Sequence, residues 1–148
     1  MNARRPLLAL LAVSSLLLLL LAGCGGPKAS QKGGQEDGKN ARTYTVRGQV
    51  EKLPDTAAGD RELTVRHEAI DNFTSRDGRV MGMDSMAMGF ALAPEASIEG
   101  VAPGDVIELK LRVDWEAENP AEISQITEVR KLPPGTKLDF REAKPPGQ

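Results

Sequence analysis

Alternating apolar and polar residues predict a small all-β domain in the second two thirds of the chain. The alternation covers residues 44–50, 63–67, 86–92 and 107–115, and turns rich in Gly and Pro separate these segments. Such alternation is typical of strands that bury one face. Residues 121–132 also fit a helical spacing of three, and we predict a strand with a bulge there. Four or five short strands separated by such turns favour a closed barrel over an open sheet.

The first 24 residues carry the signals of export. Arg4 and Arg5 precede an apolar run over residues 7–21, which has the length of a signal-peptide core and is too short to span a bilayer. The run ends in Leu21-Ala22-Gly23-Cys24, which resembles the lipobox of bacterial lipoproteins. The resemblance implies a signal peptide over residues 1–23 and acylation of Cys24. The alternative is an ordinary signal peptide with a chance cysteine.

The single cysteine limits the chemistry of the exported protein. Cys24 is the only cysteine, so we expect no disulfide and no free thiolate for catalysis or metal binding. Residues 24–42 lack apolar periodicity and are predicted to be a disordered, lipidated tether. Gly25 rather than aspartate follows the cysteine, which favours outer-membrane anchoring if the organism has two membranes. Residues 133–148 are predicted to be an extended C-terminal tail.

Net charge argues against a nucleic-acid partner. Without residues 1–23 the chain has 17 basic and 21 acidic side chains, and the two signs are interspersed. No basic patch marks a nucleic-acid surface. We also predict that the lipid anchor is the only contact with the membrane.

Methionine is concentrated in one short segment. Apart from the initiator, the methionines are Met81, Met83, Met86 and Met88. Thioether sulfur is a soft ligand that suits Cu(I) and does not need to lose a proton. Met86 and Met88 are two apart on a predicted strand and share a face. His67, the only histidine, ends another predicted strand and could supply an imidazole donor.

These residues also permit a simpler interpretation. Met86 and Met88 could be core residues, and His67 could be a strand-end histidine that bonds to backbone. Either feature alone favours that interpretation. Both together, in an exported chain with no other histidine, favour a soft metal ion.

Several segments resemble the CusF-type periplasmic copper- and silver-binding domain. They are residues 46–50, 63–70, 83–90 and 104–107. The resemblance covers about residues 43–132 and implies a five-stranded barrel of OB type. It implies His67, Met86 and Met88 as the ligands of Cu(I) or Ag(I). Where the best-known member of the family has a tryptophan over the metal, this chain has Met83, so cation–π shielding is lost and a third thioether could act as a ligand or lid.

The connection from His67 to the methionines is longer than the resemblance leads one to expect. Asp77-Gly78 is a hairpin-turn signal, which predicts a small β excursion that leaves the site intact. Met81 would lie on its returning arm and is a weaker ligand candidate.

The sequence therefore predicts a metal carrier or buffer of the cell envelope rather than an enzyme. No defensible order of catalytic Ser, His and Asp is present, and a lone histidine excludes a blue-copper centre. The resemblance implies a metal efflux pump or a copper-delivery protein as partner. A structural or partner-recognition module, in which the methionine strand is core or interface, remains the alternative.

Overall fold

The computed structural model describes residues 35–36 and 41–147. The elements, in chain order, are β1 Gln35–Glu36, β2 Ala41–Lys52, a 3-10 turn Thr56–Ala58, β3 Glu62–His67, β4 Ala87–Leu92, β5 Val106–Asp114, a 3-10 turn Pro120–Glu122 and β6 Ser124–Lys131. The predicted signal peptide and Cys24 lie outside the described residues. Within residues 35–36 and 41–147, no helix has the length and apolar character needed to cross a membrane.

Five of the strands close into a barrel. The order is β2-β3-β4-β6-β5, and β5 pairs back onto β2. Strand β2 is long enough to serve two neighbours, because residues 41–49 pair with β5 and residues 48–52 pair with β3. Only β4 and β6 are parallel; the other neighbours are antiparallel. The predicted all-β, five-stranded barrel is confirmed.

The interior follows the predicted alternation. Strand β5 turns Ile107, Leu109, Leu111 and Val113 inward, and all four are buried. Their partners come from the inward faces of the other strands, including Leu63 and Phe90. Each fully buried aliphatic or aromatic side chain contributes about 1.5–3 kcal/mol to folding, which makes this face the main source of stability.

Strand β6 contains the predicted bulge. Glu128 pairs with Lys110, but the next residue of β5, Leu111, pairs with Ile126. Thr127 is therefore the extra residue, and the bulge lets Ile126 point into the core, where it is fully buried. This irregularity explains why the spacing of apolar residues in this segment also fitted a helix.

The N-terminal boundary differs from the prediction. Strand β2 begins at Ala41, whose side chain is buried, and residues 35–36 pair with its first residues. The predicted tether over residues 24–42 therefore overlaps the start of the sheet. A single small buried residue gives no alternation, and the pairing of Ala41 with Asp114 cannot be read from the sequence.

Candidate metal centre

His67 is the last residue of β3 and is 1% exposed. It follows Leu63 and Val65 on the inward face, as the alternation predicted, and its ring centroid lies 5.9 Å from that of Phe90. On its other side, Gly48 of β2 is its register partner. A Cβ on Gly48 would lie 2.7 Å from the carbonyl oxygen of Arg66 and 3.0 Å from the Cα of His67. Glycine is thus required for β2 to pass this close to the histidine.

The two ring nitrogens of His67 have different environments. Nδ1 lies 2.7 Å from the carbonyl oxygen of Glu68. A carbonyl only accepts hydrogen bonds, so Nδ1 carries the proton and donates, and Nε2 of the neutral ring keeps its lone pair. Within the described part of the chain, Nε2 is the only buried side-chain nitrogen or oxygen without a hydrogen-bond partner.

The histidine is also held in its neutral form. Burial lowers the pKa of His67 below its ordinary value of 6.5, and the hydrogen bond to Glu68 opposes this only in part. A metal binds the neutral imidazole, and a second hydrogen bond commonly fixes which nitrogen is free. The ring therefore fits the role of a metal ligand through Nε2.

Strand register brings Met86 and Met88 to the same part of the barrel as His67. The amide of His67 donates to the carbonyl oxygen of Met86 at 3.0 Å, which continues the antiparallel register that pairs Val65 with Met88. Met86 is thus directly opposite the histidine and Met88 is diagonal to it. Such neighbours have Cβ atoms about 5 Å and about 7–8 Å apart, within reach of long side chains.

The two methionines differ in burial. Met86 precedes the first residue of β4 rather than lying within the strand, and it is 45% exposed. Met88 is half-buried and packs against the core. The strand begins one residue later than the prediction, which placed both methionines on it.

Met83 lies farther along the same hairpin. It forms an antiparallel bridge with Ile70, and the two residues exchange backbone hydrogen bonds of 2.8 and 2.9 Å. The side chain of Met83 is half-buried against the core. Met83 is therefore three residues from Met86, on an arm that keeps the register of β3 and β4.

The predicted β excursion is present between Ile70 and Met83. Gly78, with φ of +82°, follows Asp77 at the turn, and Thr74 bridges Val80. Met81 lies on the returning arm, where its amide donates to the carbonyl of Phe73. Its side chain is 58% exposed.

The donors at this site are soft. In residues 35–36 and 41–147, no group of three or more His, Cys, Asp or Glu side chains is arranged to hold a metal ion. One imidazole nitrogen and nearby thioethers suit Cu(I) or Ag(I) better than Zn, Mg or Ca.

Two residues that support the site were missed from the sequence. Glu68 fixes the ring through its backbone carbonyl, which carries no side-chain signal. Gly48 breaks the apolar pattern of β2, and a glycine inside a strand does indicate a close approach of backbone. That signal was available in the sequence.

Comparison with known proteins identifies the family of this chain. The family model described as copper-binding periplasmic protein CusF matches residues 43–131. The match covers more than half of the chain and nearly the whole barrel, and the chain belongs to the CusF family.

Two solved structures are among those similar to this chain. One is the crystal structure of Ag(I)CusF, with 12% identity, coverage of 61% of this chain and 97% of that chain, and a TM-score of 0.39. The other is apo-CusF from Escherichia coli, with 12% identity, coverage of 67% and 100%, and a TM-score of 0.42. A comparison with curated proteins found no match.

Proposed function

We propose that this protein is a cell-envelope lipoprotein that binds Cu(I) or Ag(I) and carries or buffers the ion. His67, Met86 and Met88 are the proposed ligands, and Met83 is a fourth candidate. One observation carries the proposal: a buried histidine, whose Nε2 has no hydrogen-bond partner, is paired through its backbone with the methionine that directly precedes β4. Membership of a copper-binding family supports the same ion.

The donor chemistry suits the cell envelope. Thioethers carry no proton near neutral pH, and His67 is already neutral because burial lowers its pKa. Binding therefore displaces no proton from these groups. Thiolates would be more open to oxidation in an exported protein, and none is proposed at this site.

The difference in exposure suggests how the ion enters and leaves. Met86 is 45% exposed, whereas His67 is 1% exposed. A partner that presents soft donors would meet the sulfur of Met86 first. The ligands can then be exchanged one at a time while the barrel stays folded, which is what a carrier requires.

The proposed anchor rests on the lipobox resemblance, and the proposed partners rest on the family resemblance. Acylated Cys24 would tie the protein to the envelope membrane, and in an organism with two membranes Gly25 favours the outer one. The proposed recipient or donor is a metal efflux pump or a copper-delivery protein. Incorporation of a palmitate analogue into the wild type, and none into Cys24→Ser, tests the anchor. Label in neither protein would remove that part of the proposal.

Competition with a chromogenic Cu(I) chelator tests metal binding directly. We expect the wild type to take Cu(I) from the chelator and the double variant Met86→Ile, Met88→Ile to lose most of its affinity. Isoleucine preserves the apolar volume, so the loss would not reflect an emptied core. Met81→Ile is the matched control and should bind as the wild type does.

Two results would contradict the proposal. One is a wild-type affinity no tighter than micromolar. The other is an unchanged affinity in the double variant, which would favour a structural or partner-recognition role for the methionine strand.

A further inference from the structure

The C-terminal segment returns to the candidate metal site after the barrel is complete. Residues 139–145, here called the strap, contain no helix or strand and lie against the connection between β3 and β4. That connection, residues 68–85, separates His67 from Met86. The strap contacts both of its arms.

The strap bonds to the methionine arm at the point where the β3–β4 ladder is interrupted. His67 pairs with Met86, and the same register returns at Met83. Between them, the amide of Ser85 donates to the carbonyl of Arg141 at 2.9 Å rather than across the hairpin. The amide of Arg141 donates back to Oγ of Ser85 at 2.8 Å. Strap backbone thus replaces the missing ladder bonds next to Met86.

The strap also bonds to the histidine arm. The guanidinium of Arg141 donates to both carboxylate oxygens of Asp71, each at 2.8 Å. The amide of Asp139 donates to Oε1 of Glu68 at 2.6 Å. Glu68 is the residue whose carbonyl accepts the proton of His67 Nδ1. One segment is therefore bonded to the neighbours of both proposed donors.

Close packing holds the strap against the methionine arm. Gly82 has φ of +72°, and a Cβ there would lie 2.7 Å from Cβ of Ala143. The amide of Ala143 donates to the carboxylate of Asp84 at 2.7 Å. The guanidinium of Arg66, one residue before the histidine, lies 4.5 Å from the ring centroid of Phe140. Little room remains for the arm to shift while the strap is bound.

We propose that the strap positions the metal donors, with Arg141 as its principal positioning residue. This inference rests on the proposed function, because it concerns the same His67 and Met86. One backbone hydrogen bond joins His67 to Met86, and the interrupted ladder of the long connection does not by itself hold that end of the hairpin in place. Metal donors must be held within about 0.5 Å of their working geometry, and the strap supplies the bonds that do this.

The test compares Arg141→Gln with a matched variant in the full protein. Arg130→Gln is the control, because it also removes an arginine from an ion pair. Arg130 bonds to Glu108, and both residues lie on strands β5 and β6, which do not pair with residues 83–86. Two quantities are measured: hydrogen exchange of the Ser85 and His67 amides in metal-free protein, and Ag(I) affinity by competition. Asp71→Asn and the double variant complete a cycle.

We expect Arg141→Gln to speed exchange of both amides and to weaken Ag(I) binding by about 10-fold, the scale typical of groups that orient ligands. Asp71→Asn should show the same loss, and the double variant should add little to it. Arg130→Gln should change neither quantity, and exchange at Leu109 in the core should stay at the wild-type rate throughout.

Failure of this inference can be told apart from failure of the proposed function. Unchanged exchange at Ser85 and His67 in Arg141→Gln overturns the strap whatever the metal result. Faster exchange with unchanged Ag(I) affinity shows that the strap orders the arm without positioning the donors, which also overturns the inference. A wild type that binds no Ag(I) contradicts the proposed function, while exchange still reports on the strap.

Discussion

Replacing His67 by leucine should separate stability from metal binding. The buried Nε2 has no hydrogen-bond partner, and an unsatisfied buried polar atom costs about 1–3 kcal/mol. Leucine removes that atom but also removes the bond from Nδ1 to Glu68, which contributes about 0.5–1.5 kcal/mol net. The balance predicts a metal-free variant that is about 1 kcal/mol more stable than the wild type. In a domain of this size that corresponds to a rise in Tm of about 4–8 °C.

Metal should make the wild type more stable than His67→Leu, which reverses their order of thermal stability. Ag(I) at 100 times its Kd stabilises a binding protein by about 2.7 kcal/mol, and the leucine variant should receive little of this. Thermal melting of both proteins, with and without Ag(I), gives the four Tm values to compare. The wild type should melt below the variant without metal and above it with metal.

Two outcomes would contradict this role of His67. A metal-free variant destabilised by more than about 1 kcal/mol would mean that Nε2 has a favourable partner in the native protein. An Ag(I)-induced rise in Tm equal to that of the wild type would mean that His67 is not a ligand.

Three further predictions concern pH and backbone packing. The metal-free wild type should lose stability as pH falls below 6.5, because the unfolded chain takes up a proton that the lowered pKa of His67 keeps off the folded ring. Urea unfolding at a series of pH values should therefore show a different pH dependence in the wild type and in His67→Leu, and parallel curves would contradict this. Arg141 lowers the pKa of Asp71 to about 2, so the ion pair stabilises the fold above pH 3.8 and this stabilisation is lost as pH falls towards 2. The Tm of Asp71→Asn should therefore fall less than that of the wild type between pH 3.8 and 2, and an equal fall would contradict a stabilising pair. Gly48→Ala should lower the free energy of unfolding in urea by about 1–3 kcal/mol, because the Cβ of the alanine would clash with the backbone of Arg66. A cost below about 0.5 kcal/mol would show that β2 can shift to accommodate it.

The barrel was predictable because its strands bury one face. Leu63 and Val65, like the apolar residues of β5, are buried as their spacing indicates. The bulge at Thr127 was also within reach, since a slipped register leaves a mixed period. The early start of β2 was not, because Ala41 is held by pairing with Asp114, which the sequence does not display.

The candidate metal donors could be proposed from the sequence, whereas the residues that support them could not. His67, Met86 and Met88 were proposed together, because a lone histidine or a methionine cluster by itself favours a simpler interpretation. The free Nε2 depends on a backbone carbonyl, and carbonyls are the same at every position. The contact between Asp71 and Arg141 joins residues 70 apart in the chain, and no local pattern announces it.

X-ray absorption of the Cu(I)-loaded protein identifies the atoms bound to the ion. We expect sulfur scatterers together with one imidazole nitrogen in the wild type, and loss of the nitrogen alone in His67→Leu. A first shell of oxygen and nitrogen without sulfur, or a spectrum unchanged in His67→Leu, would contradict it.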